Sequence, residues 1–317
     1  MVVVTWNGAY LLDACLGSLR TQTLAHELIV VDNASRDDTA ELLAEKFPEA
    51  KVIERGMNTG FAGGAQAGLA AATTPYVAFL NNDAFADQEW LAALVAELDA
   101  DPSVTAVTSR ILLADDGRIN NAGGALTRWG VGYDRGYECP DGPQFRVSVD
   151  VAAFCGAAAA LRADVARSLG GFPAEFFLYY EDTDLSWRLG RAGGRIRYVP
   201  GAVVYHRHSA SSDQTSASFA YYNQRNQLLM LLRNAPWALI AMVFARYLAG
   251  TGIAVVRNML PGSKSSSHQA RPVHRLRILR DVVNVVPWTV RERRRIERTS
   301  TMSRREYRRR WLGVEAR

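Results

Sequence analysis

YVAFLNNDAF, residues 76–85, is the stretch that decides the fold. Tyr76 to Leu80 read as a buried strand, and the chain then passes at once to Asn81-Asn82-Asp83, three side chains that cannot be buried unpaired. An apolar strand ending on amides and a carboxylate is what an open α/β sheet carries where strand ends meet a ligand. The same reading extends in both directions. VVVT (2–5), ELIVVD (27–32), KVIE (51–54) and VTAVT (104–108) have the composition of buried strands, and 10–21, 37–47, 62–72 and 87–100 have helical spacing between them. This alternation predicts βαβ units and a mostly parallel sheet. The residues just past the strands, Trp6-Asn7-Gly8, Asp32-Asn33, 55–64 and 81–83, are polar or glycine-rich, so they are the candidate ligand contacts.

At 317 residues, 48% hydrophobic and 22% charged, the chain can bury a full core, and one large domain with an extension is expected. The net charge of +5 hides a division: residues 271–317 hold 15 Arg against 5 acidic residues, net +10, which leaves net −5 for the rest. Basicity therefore belongs to the C-terminal segment. No base-reading motif accompanies it, which argues against nucleic acid as a partner. Cys15, Cys139 and Cys155 are odd in number and widely spaced with no CxxC, which argues against a disulfide framework or zinc site and fits a reducing cytosol. MVVVTWNG (1–8) has neither a basic n-region nor a long apolar h-region, so no signal peptide is expected there.

Other stretches carry chemistry. DNASRDDT (32–39) places Asp32 at a strand end and offers Ser35 or Asp37 as the N-cap of the next helix; capping explains those two and not Asp32. NTGFAGGAQAG (58–68) is a glycine-rich helix entry. Its free N–H groups suit a diphosphate, and its glycines equally suit a tight helix–strand contact, while its spacing departs from both GxGxxG and the P-loop. CGAAAALRADV (155–165) reads as a small-residue strand leading into a helix. FFLYYEDTDLSWRL (176–189) sets Glu181, Asp182 and Asp184 in a first helical turn directly after an aromatic run. The helix dipole favours acids there as plain caps. Beside an aromatic wall, desolvation also raises a carboxyl pKa toward the range useful to a general base.

Taken together these stretches resemble glycosyltransferase family 2, the inverting enzymes of GT-A fold, and within it the rhamnosyltransferase-like branch. The resemblance covers residues 1 to about 235: VVVTWNG, VVDNASRDDT, NTGFAGGAQAG, FLNNDA, FCGAAAALRADV, FFLYYEDTDLSWRL and VVYHRHSAS stand in the family's order. It implies an α/β, Rossmann-like, mostly parallel sheet with a C-terminal helical extension. The expected division is a GT-A catalytic domain over 1–215, an apolar helical extension over 216–261 and an Arg-rich tail over 262–317.

The resemblance also implies roles. NND stands where the family carries Asp-x-Asp, so Asp83 is implied to bind Mg2+ or Mn2+ bridging a donor diphosphate, with Asn81 and Asn82 bonding ribose or phosphate. One carboxylate needs a second ligand, and the resemblance points to His206, then to His208. Thr5, Asn7 and Asp32 are implied to contact the base or ribose, Asn58 and Gly60 to lie along the nucleotide, and Gln66 to stand where the family more often has Asn. Asp182 matches the general base that takes the acceptor hydroxyl's proton, and Glu181 and Asp184 are implied to orient acceptor or base. The implied donor is a nucleotide sugar, dTDP-L-rhamnose ahead of UDP-galactofuranose, GDP-mannose or a UDP-hexose. The implied acceptor is a glycan or polyprenyl-linked sugar in cell-wall or polysaccharide synthesis. Asn81 in place of the first Asp leaves a non-catalytic sugar-nucleotide-binding or scaffolding relative as the alternative.

Residues 221–262 are strongly apolar, but Arg246 falls near the middle, where a spanning helix would incur about 2.5–3.5 kcal/mol. Helices lying on a membrane surface are expected instead, with packing on the catalytic domain as the alternative. Beyond the linker GSKSSSHQ (262–269), RERRRIER (291–298) and SRREYRRRW (303–311) are suited to anionic headgroups. The expected location is cytoplasmic, peripheral on the inner face of the cell membrane.

Overall fold

The computed structural model describes residues 1–207, 216–259 and 271–314. The chain first lays down β1 (Val2–Thr5), α1 (Ala9–Arg20), β2 (Ile29–Asp32), α2 (Thr39–Lys46), β3 (Lys51–Glu54), α3 (Gly60–Ala71) and β4 (Tyr76–Asn81). Strands β3, β2, β1 and β4 lie side by side and parallel. Thr5 pairs with Asp32 and Val4 with Asn81, so the polar strand ends share one edge. β5 (Ala84–Ala86), α4 (Trp90–Ala100), β6 (Val104–Leu113), β7 (Ile119–Asn121), β8 (Gly124–Leu126), β9 (Gly132–Asp134) and β10 (Val149–Asp150) follow. Then come β11 (Ala158–Arg162), α5 (Ala163–Ser168), α6 (Glu181–Arg191) and β12 (Arg195–His206). β11 enters antiparallel between β4 and β6, and β12 runs parallel to β6, giving the order β10-β12-β6-β11-β4-β1-β2-β3.

Alternation of side chains sends each strand's residues to two apolar layers. Ala158 and Ala160 of β11 join Leu12 and Leu16 of α1 and Trp90 and Leu94 of α4 on one face. Ala159 and Leu161 join Leu69 of α3, Ala166 of α5 and Leu185 of α6 on the other. KVIE, expected to be a buried strand, is instead the exposed edge of the sheet: Lys51, Val52 and Glu54 face solvent because β3 has a neighbour on one side only. Neither Ser35 nor Asp37 is the N-cap residue of α2; Asp38 holds that position without a side-chain bond. Asp37 instead accepts from Thr39 and from the Ala9 N–H, joining the starts of α1 and α2. The glycine run of α3 serves close packing. A Cβ at Gly64 or Gly68 would lie 2.4 or 2.3 Å from Cγ1 of Val4 or Val2.

The C-terminal part differs most from expectation. α7 (Ala217–Asn234), α8 (Trp237–Met259), α9 (Pro272–Asn284), α10 (Val286–Arg298) and α11 (Arg304–Trp311) supply much of a third apolar cluster. The Arg-rich segment is thus folded helix rather than tail. Tyr307 stacks on Trp187 with ring centres 5.0 Å apart, and the Gly313 N–H donates to Leu126 O. Burying a side chain the size of Leu312 contributes about 1.5–3 kcal/mol, so this segment braces the domain. The expected boundaries 215/216 and 261/262, the linker 262–269 and His208 lie outside the described residues.

Candidate active site

The turn between β4 and β5 carries Asn81-Asn82-Asp83. Strand β5 pairs antiparallel with the end of β12, placing His206 opposite Ala84. This register brings a distant histidine to the turn: His206 Nε2 lies 2.9 Å from Asp83 Oδ1, both side chains being buried. His206 Nδ1 lies 2.7 Å from Asn120 Oδ1. With that amide oxygen accepting the Nδ1 proton, Nε2 is the nitrogen turned to the carboxylate, the way metal-ligating histidines are commonly oriented. Among the described residues no cluster of three or more His, Cys, Asp or Glu could hold a metal. One carboxylate and one imidazole still fit Mg2+ or Mn2+ when phosphate oxygens and water complete the shell.

The rest of the strand-end edge is knitted by side chains. Asn82 Nδ2 donates to Thr5 Oγ1 at 3.1 Å. Asp32 Oδ1 accepts from the Ser35 N–H at 3.0 Å and from its hydroxyl at 2.5 Å, and Ser35 Oγ accepts from the Asn7 N–H at 2.8 Å. Asn7 sits at φ 49°, and its Oδ1 accepts from the Arg36 N–H. Thr5, Asn7, Asp32, Asn81, Asn82 and Asp83 are therefore gathered at the carboxyl ends of β1, β2 and β4. The glycine-rich entry is different: Asn58 Oδ1 takes the Gly60 N–H at 2.8 Å and the Phe177 carbonyl takes that of Ala62 at 3.1 Å. These two N–H groups, expected to face a diphosphate, are already engaged. Gly60 has φ 70°, and a Cβ there would meet the Phe177 carbonyl oxygen at 2.0 Å. Gln66 Oε1 accepts from the Phe172 N–H at 2.8 Å, so its carbonyl holds the loop before the acidic helix.

Helix α6 opens on the three acids, and each receives a different environment. Asp182, half-buried, accepts from the Gly156 N–H at 2.9 Å and from the Thr183 N–H at 2.6 Å. Burial pushes its carboxyl above the ordinary range, against the pull of those N–H groups. Glu181 is raised well above its usual value by burial and then by the charge of Asp182, and its Oε2 has no hydrogen-bond partner among the described residues. Both carboxyls at the start of α6 are thus pushed up by burial.

Of the two roles implied for Asp184, orienting acceptor or base, its contacts suit the second. It is 0% exposed and bound by Arg188 at 2.8 Å, Arg233 at 2.8 Å and Asn234 at 2.7 Å. Burial would raise it, but Arg233 and Arg188 outweigh that and hold it below the usual range. Its work is to clamp α6 to α7, which makes it a positioning residue.

At the start of α6 lies a cavity of about 180 Å³, lined by Glu181 and Asp182, by Tyr179 and Tyr180, and by Asn121 and Asp134 from the β7–β9 region. Burial raises the Asp134 carboxyl, against the hydrogen bond it accepts from Asn121. Sequence reasoning missed Asn120, Asn121 and Asp134; Asn33, a candidate ligand contact by its place after β2, has a structural role. Asn33, buried, donates to Gly60 O and accepts from Thr59, holding the glycine turn. INNAGG and GYDRG (119–124 and 132–136) read as ordinary turns, with no spacing that marks them.

This arrangement, ligand-facing strand ends beside a helix that begins with carboxylates, has the architecture of GT-A glycosyltransferases. The family model for glycosyl transferase family 2 matches residues 1–167, and the chain belongs to that family. It is 33% identical over 227 residues to the pre-mycofactocin glycosyltransferase of Mycobacterium tuberculosis, a match covering 70% of this chain and 45% of the relative. The chain thus spans about half the length of that relative. It is 27% identical over 262 residues to the N-acetylglucosaminyl-diphospho-decaprenol L-rhamnosyltransferase of the same organism, covering 75% of this chain and 85% of the relative. In fold it is similar to GalNAc-T7, solved with UDP, GalNAc and Mn2+, at TM-score 0.62 and 16% identity, over 91% of this chain and 56% of that one.

Proposed function

We propose that the chain is a metal-dependent inverting glycosyltransferase that moves a sugar from a nucleotide diphosphate to a lipid-linked or glycan acceptor, with dTDP-L-rhamnose first among donors. The observation that carries this reading is Asp182, a carboxylate raised by burial that lines a cavity at the start of α6, in a chain whose strand ends carry the Asp83–His206 pair. A Mg2+ or Mn2+ ion held by Asp83 and His206 would supply positive charge to the leaving diphosphate. Asp182 takes the proton of the attacking hydroxyl, and that oxygen displaces the diphosphate from the opposite face, inverting the anomeric carbon in one step. A purely binding relative has no use for a poised base there. Rhamnose as donor sugar and a polyprenyl diphosphate sugar as acceptor are supported by the 27%-identical relative, an N-acetylglucosaminyl-diphospho-decaprenol L-rhamnosyltransferase. The test is incubation with dTDP-rhamnose, UDP-galactofuranose, GDP-mannose and UDP-hexoses. At least one is expected to raise the melting temperature and be slowly hydrolysed, and a protein indifferent to all would contradict the reading.

Attachment to an anionic membrane surface belongs to the same reading. α8 is long and apolar enough to cross a membrane by length and composition. One face packs inward through Leu239, Ile240 and Val243, leaving Leu248, Ile253 and Val256 exposed. Arg246 lies 4.5 Å over the Trp129 ring, holding this helix against the domain. Arg275 of α9 donates to Thr251 Oγ1 at 3.0 Å, joining α9 to α8. Not every arginine is available: Arg233 and Arg293 are buried, whereas Arg277, Arg280 and Arg294 face outward. Each outward arginine near anionic headgroups contributes about 1 kcal/mol. Flotation with vesicles is expected to require anionic lipid and to weaken with salt, and to be lost in a variant combining Arg277→Glu, Arg280→Glu and Ile253→Asp. Equal flotation with neutral vesicles would contradict the electrostatic part.

A further inference from the structure

We propose that Asp134 is a specificity-determining residue that reads vicinal hydroxyls of the acceptor sugar, with its carboxylate held in place by Asn121. The proposal rests on the glycosyltransferase reading of the cleft and adds a residue to its acceptor side. Three observations carry it. Asp134 ends β9 and lines the same cavity as Glu181 and Asp182, whereas the strand-end residues Asp32, Asn82 and Asp83 do not line it. The cavity is therefore on the base's side of the cleft, where the attacking hydroxyl must sit. Secondly, the carboxylate is fixed on one oxygen only. Asn121 Nδ2 donates to Asp134 Oδ1 at 2.5 Å, and Asn121 Oδ1 is occupied by the Gly123 N–H at 2.7 Å, which fixes the amide's orientation. Asp134 Oδ2 carries no hydrogen bond to the described residues, and the residue lines the cavity. A carboxylate so held accepts from adjacent hydroxyls in the way that carboxylates read sugars, two O–H donors at once.

Thirdly, the hairpin that presents Asp134 is fastened to the acidic helix. The Gly132 N–H donates to Tyr180 Oη at 3.2 Å, and Tyr180 immediately precedes Glu181. The loop behind it is held left-handed at Phe177, Tyr179 and Tyr180, with Asn226 Nδ2 donating to the carbonyls of Phe176, Leu178 and Tyr179. A sugar bound to Asp134 is thereby registered against the base. Glu181 lines the same cavity, buried and with its Oε2 unpartnered among the described residues. Tyr133, exposed next to Asp134, supplies an aromatic face for the sugar ring.

The test uses the full chain and a panel of methyl glycosides with and without vicinal hydroxyl pairs, followed by ligand-observed NMR in the presence of nucleoside diphosphate. Wild type is expected to bind glycosides that carry the pair in preference to those that lack it. Asp134→Asn and Asp134→Ala, both with an unchanged melting transition, are expected to weaken that binding about 10- to 100-fold, the range for a lost hydrogen bond to a charged group, with nucleoside diphosphate affinity unchanged. Equal glycoside binding by wild type and both variants would overturn the proposal. So would no glycoside binding by wild type, or a loss confined to nucleotide affinity. Nucleoside diphosphate binding by wild type would in each case leave the glycosyltransferase reading standing.

Discussion

Asp83→Ala is expected to abolish measurable transfer, a loss above about 10³-fold, and excess EDTA is expected to do the same to wild type. The argument starts from the turn itself. Of the triplet Asn81-Asn82-Asp83, Asp83 alone carries a charge, and its Oδ1 faces His206 Nε2 at 2.9 Å. Removing it leaves an imidazole and neutral amides, a set too weak for a hard divalent cation that takes oxygen ligands. The fold should survive, since the turn is also tied by Asn82 to Thr5 and by the Arg207 N–H to the Asp83 backbone carbonyl, neither of which uses the carboxylate. Melting of Asp83→Ala separates the two losses: a normal transition with no turnover is the expected result. Turnover of wild type unchanged in excess EDTA would contradict metal dependence.

The parallel half-sheet was legible because each strand is a short apolar run ended by polar or glycine residues; β1 and β3 begin and end where the pattern places them. What the pattern could not give was position in the sheet, so KVIE looked buried when it is the exposed edge. Asp83 stood out because a carboxylate following Phe79-Leu80 has no local reason to be there. Its partner His206 lies 123 residues away and was reached by resemblance alone, since the register of β5 on β12 has no local signature. The three acids of α6 look alike in sequence; burial separates them. Asp184 falls on the inward side of the helix beside Arg188 and meets Arg233, while Asp182 faces the cavity. Asp134 was invisible because a single acid in a glycine-flanked hairpin is ordinary turn chemistry. By count the arginines after 270 form a tail suited to anionic headgroups, but Arg293 stacks over Trp237 at 4.2 Å and Arg304 donates to the Arg293 carbonyl at 3.0 Å, so part of that charge is structural.

Asp182→Asn is expected to lower transfer by at least about 10²-fold, within the range of general-base effects. The substitution keeps the side chain's shape but only one of its two acceptor oxygens: Oδ2 takes the Gly156 N–H and Oδ1 that of Thr183, so one of these bonds is lost, and an unchanged melting transition shows that α6 has kept its position. Beyond that bond it removes the capacity to take a proton. Because burial raises the Asp182 carboxyl, wild-type transfer should fall on the acid side as that group protonates, with the acid limb above the ordinary carboxylate range, and the variant should lack that limb. The central claim is that Asp182 serves the acceptor and not the donor. The most direct measurement is the pre-steady-state transfer rate of Asp182→Asn set beside its affinity for the sugar nucleotide. The account predicts a rate lower by at least about 10²-fold at saturating donor, with donor affinity near that of wild type. Donor affinity falling in step with the rate, or a rate close to wild type, would contradict it.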